Sequence, residues 1–129
     1  MRHRIVTPIM LIMAFILSIR PISLAQEKDR NEKQKKEIKA AIEQYIKNDQ
    51  NLKGGFFVKD AKEGKVLDLS FEELHRGVGQ GEDGTSVVCA DFKDEKGKLY
   101  DLDVYVKKAG AAWSVEKVVI HKVDGEARK

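Results

Sequence analysis

Hydrophobic residues recur along this chain with three different rhythms. From Ile9 to Ile19 the residues are apolar except for Ser18. Between Glu27 and Lys39 the chain is almost entirely charged or amide-bearing, and then Ile38, Ala41, Ile42, Tyr45 and Ile46 recur in steps that place one apolar stripe on a helix. Asp29 with Glu32 reads as a capping box at its start, and Asn48-Asp49-Gln50-Asn51 as its close. After Gly54-Gly55 the period becomes two. Each later interruption contains glycine and none contains proline, which predicts an antiparallel meander.

The alternation places a first strand on Phe56-Phe57-Val58 and a turn at Glu63-Gly64. A second strand carries Leu67, Leu69 and Phe71, then loses phase at Glu72-Glu73-Leu74, which predicts a bulge before His75. Three more strands are expected near 85–93, 98–107 and 112–123. Asp94-Glu95-Lys96-Gly97 reads as a type I turn that pairs Asp94 with Lys98. That register sets Phe92 against Tyr100, Ala90 against Leu102 and Val88 against Val104 on one face, the expected helix-packed core. The other face then carries Asp91 against Asp101, Cys89 against Asp103 and Val87 against Tyr105. The fold class that follows is α+β, one N-terminal helix packed on a curved antiparallel sheet of about five strands.

Charge changes the picture mainly at the N-terminus. The chain has 129 residues, 24 Lys+Arg and 21 Asp+Glu, for a formal charge of +3. Arg2, Arg4 and Arg20 account for the whole excess, because the first 25 residues hold no acid. A basic start, a short apolar run and the small residues of Ser23-Leu24-Ala25 have the anatomy of a secretory signal peptide. The apolar run is about half the roughly 20 residues a spanning helix needs. The organisation expected is therefore a leader over 1–25, a disordered charged tail over 26–34, one α+β domain over 35–125 and a disordered tail over 126–129. The location expected is periplasmic or secreted, with no membrane attachment after cleavage. A body with balanced charge gives no support to nucleic-acid binding.

Candidate chemistry gathers on the face opposite the core. Directly opposed carboxylates destabilise a sheet unless water or cations relieve them, so the trio Asp91, Asp101 and Asp103 calls for an explanation. One reading makes the face wet, with Lys117 delivered beside Asp101 by the last hairpin. The other makes it a hard-cation site of oxygen ligands, joined by His121 for a transition metal. Cys89 is the single cysteine, so no intramolecular disulfide can form. It is either a small hydrophobe in its strand or the source of an intermolecular disulfide. No nucleophile motif surrounds His75 or His121, and no catalytic residue is assigned. The Gly77–Gly84 stretch lacks the strand-to-helix context of a phosphate loop and reads as a mobile hairpin loop, and no cofactor signature occurs elsewhere. Tyr105 and Trp113 become neighbours on the outer face, a patch suited to a dimer or a ligand, unless the last strand is shifted by one residue, which moves Trp113 into the core.

The ending Gly110-Ala-Ala-Trp113-Ser-Val115-Glu-Lys-Val118-Val-Ile120, preceded by Tyr100-Asp-Leu-Asp-Val-Tyr-Val106, resembles the last two strands of the cystatin-like and nuclear transport factor two-like superfold. A Gly turn there is followed by Trp-x-Val, a bulge and Val-x-Ile. The resemblance implies the helix-plus-curved-sheet fold and a sheet face used for small ligands or protein partners. The several helices that close a pocket in the isomerase-like branches are absent, as are the inhibitor signature Gln-x-Val-x-Gly and the closing Thr-Gly turn of PepSY-type domains. The reading is an exported, non-catalytic binding or interaction module for an unknown protein or small ligand, with a homodimer in view. Its candidate site is Asp91, Asp101, Asp103, Tyr105 and His121, with Cys89 as a cross-link. The alternative is a small metal binder or pocket enzyme using the same acidic face.

Overall fold

The structure is a computed structural model, and it describes residue 21 and residues 23–128. The expected leader falls outside the described residues through residue 20 and at residue 22. Among the described residues one α-helix, α1 (Leu24–Lys53), leads into seven strands: β1 (Phe56–Asp60), β2 (Lys65–Leu74), β3 (Gly79–Gln80), β4 (Ser86–Lys93), β5 (Leu99–Ala109), β6 (Ala112–Val123) and β7 (Glu126–Ala127). The sheet runs in the order β1-β2-β4-β5-β6-β7, every pair antiparallel, with β3 added on the β4 edge. The chain is thus an α+β protein, its helix packed on a curled antiparallel sheet. Among the described residues no helix is long and apolar enough to cross a membrane.

Helix α1 starts earlier than its apolar stripe. Ser23 is the N-cap, its side chain accepting from the Gln26 N–H at 3.4 Å, and the helix continues through the stretch expected to be a disordered tail. Asp29 consequently lies inside the helix and caps nothing. The reason is composition: Glu, Lys, Arg and Gln are good helix formers, and Lys35 bridges Glu32 at 3.1 Å. The helix ends where the Gly54 N–H reaches the Gln50 carbonyl at 2.8 Å. Only Ile38, Ile42 and Ile46, each four residues apart, are buried against the sheet. Residues 24–33 are exposed on every side.

The core face of the sheet is continuous across its strands. Val88, Ala90, Phe92, Leu102, Val104 and Val106 are each at 0 % exposure. The Phe92 ring stacks on Phe56 at 5.0 Å and meets Phe71 edge-on at 5.5 Å, which ties β1, β2 and β4 together. Three bulges set which side chains reach each face. Glu72 is the extra residue in β2, Glu116 and His121 in β6. The tight β5–β6 turn at Gly110-Ala111 and the Glu116 bulge keep the last strand out of the register that places Lys117 by Asp101: Lys117 opposes Tyr105, and Lys122 opposes Asp101.

Residues 126–128, within the stretch expected to be a tail, pair with the sheet. Asp124 and Gly125 both take positive φ, 48° and 81°, the two-residue turn that right-twisted hairpins favour, and β7 pairs back on Lys122 and Val123. Arg128 then grips Asp60 at the far end of β1, with Nη2 at 2.9 Å from Oδ2 and Nη1 at 3.4 Å from Oδ1. Asp60 is only 2 % exposed and also accepts the Lys62 and Glu63 N–H groups. This bidentate pair links strands at opposite ends of the strand order, which clasps the curl of the sheet.

Candidate metal centre on the outer sheet face

The β4–β5 hairpin delivers the first four groups. Its turn closes with the Asp94 N–H on the Lys98 carbonyl at 3.1 Å, and the register that follows pairs Asp91 with Asp101 and Cys89 with Asp103. The core sits on the alternate residues, so these four lie together on the face turned away from the helix. Two bulges bring a histidine from each side. In β2 the extra Glu72 reverses the alternation, so that Glu73 opposes Asp91, Leu74 opposes Ala90, and the His75 N–H donates to the Cys89 carbonyl at 2.9 Å. Without that bulge His75 would point into the core. In β6 the bulged residue is His121 itself, lying between Ile120, which opposes Leu102, and Lys122, which opposes Asp101.

The resulting contacts form two linked groups. His75 Nε2 lies 3.0 Å from Asp91 Oδ1, and since an ionised carboxylate only accepts, the ring nitrogen donates. The Cys89 thiol donates to Asp103 Oδ1 at 3.0 Å, and His121 Nδ1 stands 3.2 Å from that same oxygen. The latter contact is close but not aligned as a hydrogen bond. His121 Nδ1 and Asp101 Oδ1 are, among the described residues, the two buried side-chain polar atoms without a hydrogen-bond partner. The imidazoles are 41 % and 42 % exposed at His75 and His121, while Asp91 and Asp103 are 20 % and 18 % exposed, so the cluster opens to solvent through its histidines.

Burial, the hydrogen bond to Asp103 and the charges of Asp103 and Asp101 push the Cys89 thiol up to about 12 from its ordinary 9.0. It is therefore a thiol across neutral pH, a poor nucleophile for disulfide exchange. Cys89 is not the buried hydrophobe of the first sequence reading: it is half-buried on the polar face with its sulfur committed to a carboxylate.

One donor atom from each of Cys89, Asp101, Asp103 and His121 lies within 4.8 Å of all the others, and the same holds for His75, Asp91 and Asp101. Two ligands bound at about 2.0–2.3 Å from one tetrahedral ion stand about 3.3–3.8 Å apart, so donors up to 4.8 Å apart close on an ion once their side chains move inward. Thiolate, imidazole and carboxylate together suit zinc and its neighbours better than calcium or magnesium, which take oxygen donors.

Tyr105, the remaining candidate, is not part of this cluster. The Lys117 ammonium lies over its ring at 4.4 Å, and the pair lines a cleft of about 860 Å³ with Gln80, Thr85, Lys107 and Glu116. Trp113 is not its neighbour: it opposes Lys108 on the helix side, 5.5 Å from that ammonium, with its indole N–H donating to Glu37 at 3.5 Å. The two-residue turn at Gly110-Ala111, which pairs Ala109 with Ala112, produces that phase, and the shared aromatic patch expected on the outer face does not form. His75 is the site residue that the sequence reading left out. The loss of phase at Glu72-Glu73-Leu74 was the signal, since one extra residue there turns His75 onto the face of Asp91.

Compared with protein families, curated proteins and solved structures, the chain matches none of them.

Proposed function

We propose that this protein is an exported, non-catalytic binding module whose ligand is a divalent transition-metal ion of the zinc class. Cys89, Asp101, Asp103 and His121 supply its ligands. The observation that carries the reading is the pair of buried atoms that lack a hydrogen bond, Asp101 Oδ1 and His121 Nδ1, whose residues belong to one four-donor group. A buried polar atom without a partner costs on the order of 1–3 kcal/mol, and one ion between these two atoms satisfies both. Four protein donors fill a tetrahedral shell, the arrangement of sites that hold an ion rather than activate water on it. Metal entry displaces the thiol proton, so the site strengthens as pH rises. The basic start, short apolar run and Ser23-Leu24-Ala25 support the exported location.

Thermal melts of the full chain with zinc or cobalt test the reading. An ion at 100 times its Kd stabilises the folded state by about 2.7 kcal/mol, a clear rise in midpoint. The rise should vanish in His121→Ala and in Asp103→Asn. An unmoved midpoint with zinc, cobalt and manganese alike rejects the metal and leaves a binding face for some other ligand.

A further inference from the structure

We infer that the outer face takes two divalent cations side by side, with the Asp101 carboxylate shared between them. The inference rests on the metal reading above and extends it to a second ion. Two groups of donors converge on this face, Cys89, Asp101, Asp103 and His121 in one and His75, Asp91 and Asp101 in the other, and Asp101 is the residue common to both. Register makes it so: Asp101 stands directly across from Asp91 on β4, and its neighbour two residues along, Asp103, stands across from Cys89. A carboxylate has two oxygens and can bind one ion through each. The Oδ1 atom of Asp101 is buried and has no hydrogen-bond partner, whereas Asp91 and Asp103 already accept from His75 and Cys89.

Charge points the same way. Asp91, Asp101 and Asp103 set three carboxylates side by side, so a cation at either group of donors meets an acidic surround. Lys122, opposite Asp101, is the one cation that the register places directly against the trio. The second ion has three protein donors, one imidazole and two carboxylates. A fourth position then remains for water or a small anion, so the two ions differ in kind: the first closed by protein, the second open to exchange.

Native mass spectrometry of the full chain with zinc gives the stoichiometry, and a cobalt titration of the same protein tells the two ions apart. The expected result is two bound ions in the wild type, one in His75→Ala and one in His121→Ala. With cobalt, the thiolate charge-transfer band should saturate at one equivalent while the ligand-field bands continue to grow to two. Asp101→Asn should weaken both ions, by ten-fold or more. A wild type that holds a single ion, lost in His121→Ala and kept in His75→Ala, overturns the second site and leaves the four-donor site standing. Two ions that both survive His75→Ala also overturn it. No bound ion at all removes the metal reading together with the inference. The cobalt measurement needs no variant, so a substitution that fails to fold does not shield the proposal.

Discussion

Strands β4 and β5 carry two chemistries one residue apart. On the helix side Val88, Ala90, Phe92, Leu102 and Val104 have no exposed surface. On the other side Cys89, Asp91, Asp101 and Asp103 are half-buried and crowd like charges across the same ladder. Backbone hydrogen bonds are common to both faces, so the difference lies in the side chains alone. Each core side chain contributes roughly 1.5–3 kcal/mol by leaving water, while each pair of opposed carboxylates costs a few tenths to about 1 kcal/mol. The core face is therefore strong enough to hold the acids together, and the bonds of His75 to Asp91 and of Cys89 to Asp103 offset part of their repulsion. Stability and ligand chemistry should separate cleanly under mutation.

The largest expected effect comes from the core. Leu102→Ala removes a fully buried side chain between the two bulges of β6 and should cost about 2–5 kcal/mol in urea unfolding. At temperatures where the variant remains folded, its metal stoichiometry should equal that of the wild type, since Asp101 and Asp103 keep their register. Loss of the ions in a folded Leu102→Ala protein would show that the faces are coupled. Next comes the clasp of the curl. Arg128→Ala strands a carboxylate that is 2 % exposed, but Asp60 keeps two backbone N–H donors, so the loss should be about 3 kcal/mol, the low end for a broken buried pair. Asp60→Asn in the same chain should recover part of it. A change within about 0.5 kcal/mol for Arg128→Ala would place the clasp among ordinary surface pairs.

The helix stripe, the five long strands and the β4–β5 register were legible because each rests on local periodicity and on a turn whose chemistry is in the sequence. Phe92 against Tyr100 follows from Asp94 and Gly97 alone. The same reasoning brought Asp91, Asp101, Asp103 and Cys89 to one face. It failed where position depends on partners remote in sequence. Asp60 and Arg128 are 68 residues apart, and nothing near either one announces the pair. Asp124-Gly125 is a hairpin signal in the sequence, but the strand it returns is only two residues long and carries no alternation of its own. The displacement of Trp113 comes from the tight Gly110-Ala111 turn, and that of Lys117 from the same turn together with the bulge at Glu116, while the bulge at His121 reverses the face once more beyond them. The bulge at Glu72 was visible as a loss of phase, yet its consequence for His75 needed the pairing of β2 with β4.

Smaller effects separate the outer face from the fold. Asp101→Asn should leave the metal-free protein unchanged or raise its stability by up to about 1 kcal/mol, because it relieves the charge opposed to Asp91. With zinc present the order should reverse, the wild type gaining a midpoint rise that the variant lacks. A metal-free Asp101→Asn protein that unfolds more readily than wild type would mean the carboxylate has a structural partner.

The smallest effect concerns alkaline pH. Cys89 titrates at about 12 in the folded chain against an ordinary 9.0, so the folded state holds this proton where the unfolded state has lost it. A raised value of this kind contributes stability that is complete below about pH 9 and is lost as pH climbs through about 12. Cys89→Ser has no group that ionises there, so the metal-free variant should lose less stability than the wild type between pH 9 and pH 11, by denaturant unfolding at each pH. The lysines and tyrosines that titrate in the same window are common to both proteins and cancel in the comparison. Zinc should invert the relation for the wild type, whose metal affinity rises with pH as the thiol proton becomes easier to displace, while the Ser variant shows a flatter response. Parallel stability curves for the two metal-free proteins would show that the thiol is not held by Asp103, and the first thing to re-examine would then be the Cys89 to Asp103 hydrogen bond.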